Sequence, residues 1–163
     1  MQADLFPSAS APAPKPYRVP CYRIALVRES SFTFERAQMR SSADVAALFR
    51  TYLGEDIDRE HMLVAMIDQK NRVIGINTVS TGSLTASIVH PREVFKAPVL
   101  CNAASILLCH NHPGGDPAPS PEDRAITRKL LLAGEALSIR VTDHVILGDG
   151  TSNHYSFADN GAL

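Results

Sequence analysis

The chain has 163 residues, 45% of them hydrophobic and 20% charged, values that suit one folded domain with an apolar core and exclude a disordered chain. Sixteen basic residues against seventeen acidic ones leave a formal net charge of -1, so no global positive field recruits nucleic acid or an anionic membrane. The longest nearly unbroken apolar run, Met62 to Ile67, is far shorter than the roughly 20 residues that cross a bilayer; with no secretory signal pattern at its start, the chain is expected to be soluble and cytoplasmic.

Residues 1–20 are rich in Ala, Pro and Ser and read as a mobile arm, leaving 21–163 as a single domain. Tyr22 to Val27 suggests a first strand. Ser41 or Ser42 then offers an N-cap, and Val45, Leu48, Phe49, Tyr52 and Leu53 follow at helical spacing until Gly54 closes the pattern. Met62 to Ile67 reads as a strand buried on both faces, with Val73 to Val79 as its hairpin partner across the polar turn Asp68 to Arg72. Pro91 suits the first position of a helix running towards Asn102, which Pro98 should kink or split.

Ser105 to Cys109 is a short apolar run that fits a central strand. A proline-rich loop leads to a helix over Pro121 to Leu137, with Ile126, Leu130, Ala133 and Leu137 along one face. Val141 to Leu147 is a last clear strand, followed by a Gly148-Asp149-Gly150 turn and a partner around His154 to Phe157. This alternation predicts an α/β fold, a mixed sheet with helices on its faces. Cys21, Cys101 and Cys109 are odd in number and widely spaced, which argues against a disulfide framework or a thiolate zinc site.

The chemistry is concentrated between Cys109 and Asp123. In an extended segment His110 and His112 project to the same side, so two imidazoles can meet one ion. Ser120-Pro121-Glu122-Asp123 has the form of a helix start: Ser120 caps, Pro121 takes the first helical position, and Asp123 stands in the first turn. Two His nitrogens and a carboxylate are a standard set for catalytic Zn2+, with the fourth tetrahedral position left to water. Either half alone is common on loops and helix caps; together, directly after a buried strand, they are specific.

The run from His110 through Asp123 resembles the JAMM motif of the JAB/MPN metallohydrolases: His-x-His, seven residues, Ser, two residues, Asp. The phrases Val89 to Phe95, His110 to Pro113 and Thr142 to Ile146 resemble its bacterial RadC branch, over about Ser41 to Phe157. The resemblance implies a three-layer fold like that of the cytidine deaminases and a Zn2+ site of the metallopeptidase type. By position, His110, His112 and Asp123 become metal ligands, Ser120 an oxyanion stabiliser, and Glu60, just ahead of an early core strand, the acid/base. Gly114 stands where the branch often has Ser, and the helix-hairpin-helix region of longer RadC-like proteins is replaced by the 1–20 arm.

The expected mechanism is metal-assisted hydrolysis of a peptide or isopeptide amide, with Glu60 accepting the proton of a zinc-activated water and passing it to the leaving amine. Glu93 is the rival acid/base; it stands in the first turn after Pro91, where negative charge also suits the helix dipole. His144 is a candidate buttress behind the ligands, Asp116 reads as a turn residue, and His61, His90 and His154 lack ligand-like company. A nucleic-acid accessory module, related to repair, plasmids or phage, is the alternative, with Arg124, Arg128 and Lys129 as its local hint. Deaminase chemistry is disfavoured, since neither His-x-Glu nor Pro-Cys-x-x-Cys occurs.

Overall fold

The computed structural model describes residues 18–35, 38–54, 58–82 and 89–163. In chain order the elements are α1 (Ser42–Leu53), β1 (His61–Ile67), β2 (Val73–Thr81), α2 (Pro91–Leu100), β3 (Ser105–His112), α3 (Pro121–Leu137), β4 (Arg140–Gly148) and β5 (His154–Ser156). The Ser41 side chain accepts from the Asp44 N–H at the start of α1, and the Gly54 N–H closes it on the Arg50 carbonyl with a positive φ that glycine adopts without strain. At the hairpin turn between β1 and β2, Asp68 Oδ1 accepts from the backbone N–H groups of Lys70 and Arg72.

The strands form one mixed sheet in the order β2-β1-β3-β4-β5. Only β3 and β4 run parallel; the other neighbours are antiparallel. A parallel pair needs a crossover, and α3 supplies it. Strand alternation then sorts the core into two faces. Leu63, Ala65, Ile67, Leu107, Cys109, Val145 and Leu147 pack under Val45, Leu48 and Phe49 of α1. Met62, Val64, Ile106 and Leu108 meet Val94 and Phe95 of α2 and Ile126 and Leu130 of α3. The result is the helix/sheet/helix layering that the sequence predicts.

One irregularity in the sheet decides where His144 points. Ile106 pairs with Val141 but Leu107 pairs with Asp143, so Thr142 is an extra residue in β4. Its Oγ1 donates to the Ile106 carbonyl at 2.9 Å, filling the gap that the bulge opens in the ladder. The bulge reverses the alternation of β4: Val141 joins the α2/α3 face, whereas Val145 and Leu147 join the α1 face. His144, one residue before Val145, is thereby turned towards α3.

Three expectations are corrected. Tyr22 to Val27 is not a strand; it is exposed, with Tyr22 at 86% and Ile24 at 73%, because aromatic and branched side chains make a strand only where a sheet edge receives the backbone. The first bridge to the sheet among the described residues is Gln38 with Arg72. Pro98 does not split α2, which continues through it to Leu100 with Pro98 itself buried; the lost N–H falls in the last turn, where the helix is ending anyway. The central strand runs three residues further than Cys109, to His112. Of the expected 1–20 arm only 18–20 are described, and they are exposed; the rest lies outside the described residues.

Gly134 tests the packing of α3 on the sheet. A Cβ there would stand 2.6 Å from the Ile139 carbonyl oxygen and 3.3 Å from Phe95 Cζ. Glycine to alanine inside a helix ordinarily gains about 1 kcal/mol. Here the obstacle is backbone, so Gly134→Ala is expected to lose about 1–3 kcal/mol instead, read as a lower denaturation midpoint at unchanged m value. A raised midpoint would show that the turn after α3 yields freely.

Candidate metal centre

His110 and His112 are carried by the last residues of β3, where the strand period sets both on the α2/α3 face, and Asp123 by the first turn of α3. Ser120 caps that turn reciprocally: its Oγ accepts from the Asp123 N–H at 3.1 Å, and its own N–H donates to Asp123 Oδ2 at 2.8 Å. The Ser120 hydroxyl also donates to Oδ2, at 2.7 Å. The carboxylate that a flexible loop would leave loose is thus oriented before any ligand arrives.

The three side chains converge. His110 Nε2 lies 3.2 Å from Asp123 Oδ1, His112 Nε2 lies 3.5 Å from Asp123 Oδ2, and the two Nε2 atoms are 3.0 Å apart. These residues form a group that could hold a metal ion. His110 and Asp123 are buried, whereas the His112 side chain keeps 20% of its surface, so the cluster opens to solvent on the His112 side.

Hydrogen bonding behind the cluster fixes which nitrogens carry protons. The Thr127 hydroxyl donates to the Asp123 carbonyl at 2.6 Å, so at His144 Nδ1, 2.7 Å away, it must accept. His144 is therefore protonated on Nδ1, and its Nε2 accepts from His110 Nδ1 at 2.9 Å. That leaves His110 Nε2 as a bare lone pair. On the other side, His112 Nδ1 donates to the Asp116 carbonyl at 2.7 Å, so His112 Nε2 is bare as well. With both rings neutral, these two lone pairs lie 3.0 Å apart next to a carboxylate, a place that a proton or a cation would fill. Tetrahedral zinc with bonds of about 2.0–2.1 Å spans ligand atoms about 3.3 Å apart, within the range of the three separations here.

The carboxylate draws positive charge to the same place, a proton on the imidazoles or a cation between them. Burial opposes charge on Asp123, but hydrogen bonds from His110 and then His112, in their protonated forms, outweigh it and hold the carboxyl far below its usual range. The Asp123 hydrogen bond in turn raises His112, with Glu60 among the charges that add to it. Burial drives His144 well below its ordinary value and keeps it neutral, as its accepting role requires. It stacks on Phe157 with ring centroids 5.1 Å apart and planes at 10°.

Glu60 stands immediately before β1, partly buried. Met62 pairs with His110 across the β1/β3 ladder, and the same register carried two residues on brings Glu60 opposite His112. Glu93 is instead held in α2's first turn by Lys96 Nζ at 2.6 Å, a hydrogen bond that lowers its carboxyl. Asp116 is a turn residue whose Oδ1 accepts from the Ala118 N–H. His90 caps α2, His61 meets Thr81, and His154 meets Ser42. Arg124, Arg128 and Lys129 are exposed along α3.

Sequence reasoning missed Thr127 and Asn111. Thr127 had a usable signal, since it follows Asp123 by one helical turn and shares its face. Asn111 had none beyond being a polar residue between the two histidines.

The family described as RadC-like JAB domain matches residues 39–162, which hold every helix and strand among the described residues. A UPF0758 protein of Moorella thermoacetica is 49% identical over 123 residues, 76% of this chain and 53% of that protein. Those of Pelobacter propionicus and Desulfitobacterium hafniense are 56% identical over 108 residues and 44% over 134, covering 46% and 58% of their own lengths. The chain spans about half the length of the curated relatives it matches, and their shared name states no activity.

The proton pattern behind the ligands gives a test. Thr127→Val keeps the shape of the side chain but removes the hydroxyl that both His144 and the Asp123 carbonyl use. Zinc affinity, measured by competition with a chromogenic chelator, is expected to fall about 10- to 100-fold, the usual cost of losing a group that orients a metal ligand. Unchanged affinity would show that the ligands need no support from this side.

Proposed function

This chain belongs to the RadC-like JAB domain family, and from that premise we propose that it is a zinc-dependent hydrolase acting on a peptide or isopeptide amide. His110, His112 and Asp123 are the protein ligands in this reading. The observation that carries it is the convergence of His110 Nε2 and His112 Nε2, 3.0 Å apart, on an ionised carboxylate. Zinc bound by three protein ligands supplies a water of pKa about 7 at its open position and a Lewis acid for a carbonyl.

The chain's own groups do the rest. Glu60 accepts the proton released when water adds to the amide carbon, and delivers it to the amine nitrogen as the C–N bond breaks; one carboxylate is returned unchanged. Its station opposite His112, at the edge of a core strand, suits that role. The Ser120 hydroxyl, now donating to Asp123 Oδ2, stabilises the developing oxyanion by rotating towards it. The Ser120 N–H keeps Oδ2 anchored meanwhile. Glu93, committed to Lys96, has no part in the reaction.

Purified protein is expected to carry about one zinc per chain, determined by elemental analysis. Protein that arrives without metal and takes up none on titration would overturn the proposal. His112→Ala should lose zinc and with it the stability that metal binding adds. Glu60→Gln should keep zinc and folding while turnover falls roughly 10²- to 10⁴-fold, and Glu93→Gln should change none of the three. Turnover is followed on a peptide or isopeptide substrate taken from a library screen, at matched zinc occupancy. A dead Glu93→Gln beside an active Glu60→Gln would reverse the acid/base assignment.

A further inference from the structure

We propose that Asn111, the residue between the two histidines, is a positioning residue that holds the backbone on both sides of Glu60 at a fixed distance from the ligand pair. The inference rests on the acid/base role of Glu60 in the proposed hydrolysis.

Strand alternation that turns His110 and His112 to the α2/α3 face turns Asn111 to the other. Cys109 and Leu107, its neighbours along that face, belong to the apolar cluster under α1, and Asn111 is itself fully buried. A leucine there would extend the core. The amide instead reaches sideways past the end of β1. Its Oδ1 accepts from the His61 N–H at 2.7 Å and its Nδ2 donates to the Arg59 carbonyl at 2.9 Å. The two bonds grip the peptide groups that flank Glu60. The second Nδ2 proton goes to Asp149 Oδ2 at 2.6 Å, in the turn whose Asp149 N–H also donates to the His112 carbonyl at 3.1 Å. Exchanging O and N in this amide would set an oxygen against a carbonyl and a carboxylate at once, so only one orientation fits.

From the opposite side the Gly82 N–H donates to the Glu60 carbonyl at 2.8 Å. Position 60 is therefore held between β2 and β3, with Asn111 supplying both bonds on the side of the metal ligands. Burying an amide costs free energy that its hydrogen bonds only roughly offset, so stability is not what this residue adds over a leucine. What the three bonds add is geometry: one rigid side chain on the ligand strand sets where the carboxylate stands relative to His112.

Cobalt in place of zinc makes this measurable without a substrate. The full chain is loaded with Co2+ and its visible absorption followed between about pH 5 and 9, a readout of the ion's immediate surroundings. Glu60→Gln is expected to move the pH midpoint of the spectral change by roughly one unit. Asn111→Leu, neutral and similar in volume, should move it in the same direction by about half as much or more, at unchanged cobalt stoichiometry, and should add nothing in the Glu60→Gln background. His61→Pro removes the N–H from the other end of the grip, at the first residue of a strand where proline is tolerated, and should move the midpoint likewise. It decides the matter if Asn111→Leu folds poorly or loses cobalt.

A wild-type midpoint in Asn111→Leu and His61→Pro beside a shifted Glu60→Gln overturns the role of Asn111 alone. So does a shift by Asn111→Leu that persists in the Glu60→Gln background. A wild-type midpoint in Glu60→Gln removes the acid/base reading, and the positioning role of Asn111 with it.

Discussion

Two imidazole nitrogens held 3.0 Å apart beside a buried carboxylate are the constraint around which the candidate centre is organised. In neutral rings their lone pairs repel, and a folded chain would turn such rings apart unless their other nitrogens were already engaged. Both are. His110 is held through His144 and Thr127 to the backbone of α3, and His112 is held by the Asp116 carbonyl. Neither restraint involves the face where a cation would sit. The repulsion is therefore maintained by the scaffold, and a positive charge relieves it.

That arrangement draws on features which look incidental in isolation. The Thr142 bulge turns His144 towards α3; without it, continuous alternation along β4 would aim the ring under α1. The parallel pairing of β3 with β4 sets His144 next to Leu108 in register and so close behind His110. The capping box of α3 serves two ends at once, satisfying backbone groups that every helix start leaves open and fixing the carboxylate. Interior packing and the candidate metal group thus share residues.

Much of this was legible in the sequence, for identifiable reasons. The helices over 42–53 and 121–137 announced themselves by caps as well as period, and caps report backbone geometry directly. The convergence of His110, His112 and Asp123 was legible because all three lie in one short stretch, where strand period and cap spacing suffice. Tyr22 to Val27 misled because aromatic and branched residues describe a preference, not the partner needed to make a strand. His144 was visible as a candidate but its partner Thr127 was not, since the bulge that brings them together leaves no periodic trace. Asn111 was hidden because its hydrogen bonds depend on what passes the end of β1, a tertiary fact that no local pattern encodes.

The ligands span only the stretch from the end of β3 to the first turn of α3, joined by a proline-rich loop that lies largely at the surface. Closing so short a loop costs little chain entropy, and opening it again disturbs only one end of β3 and the first turn of α3. For an ion held there, the route in or out would be a local fluctuation of that loop rather than an excursion through the unfolded chain. Exchange of such an ion and global unfolding would then be separate properties of the molecule, each set by a different part of its structure.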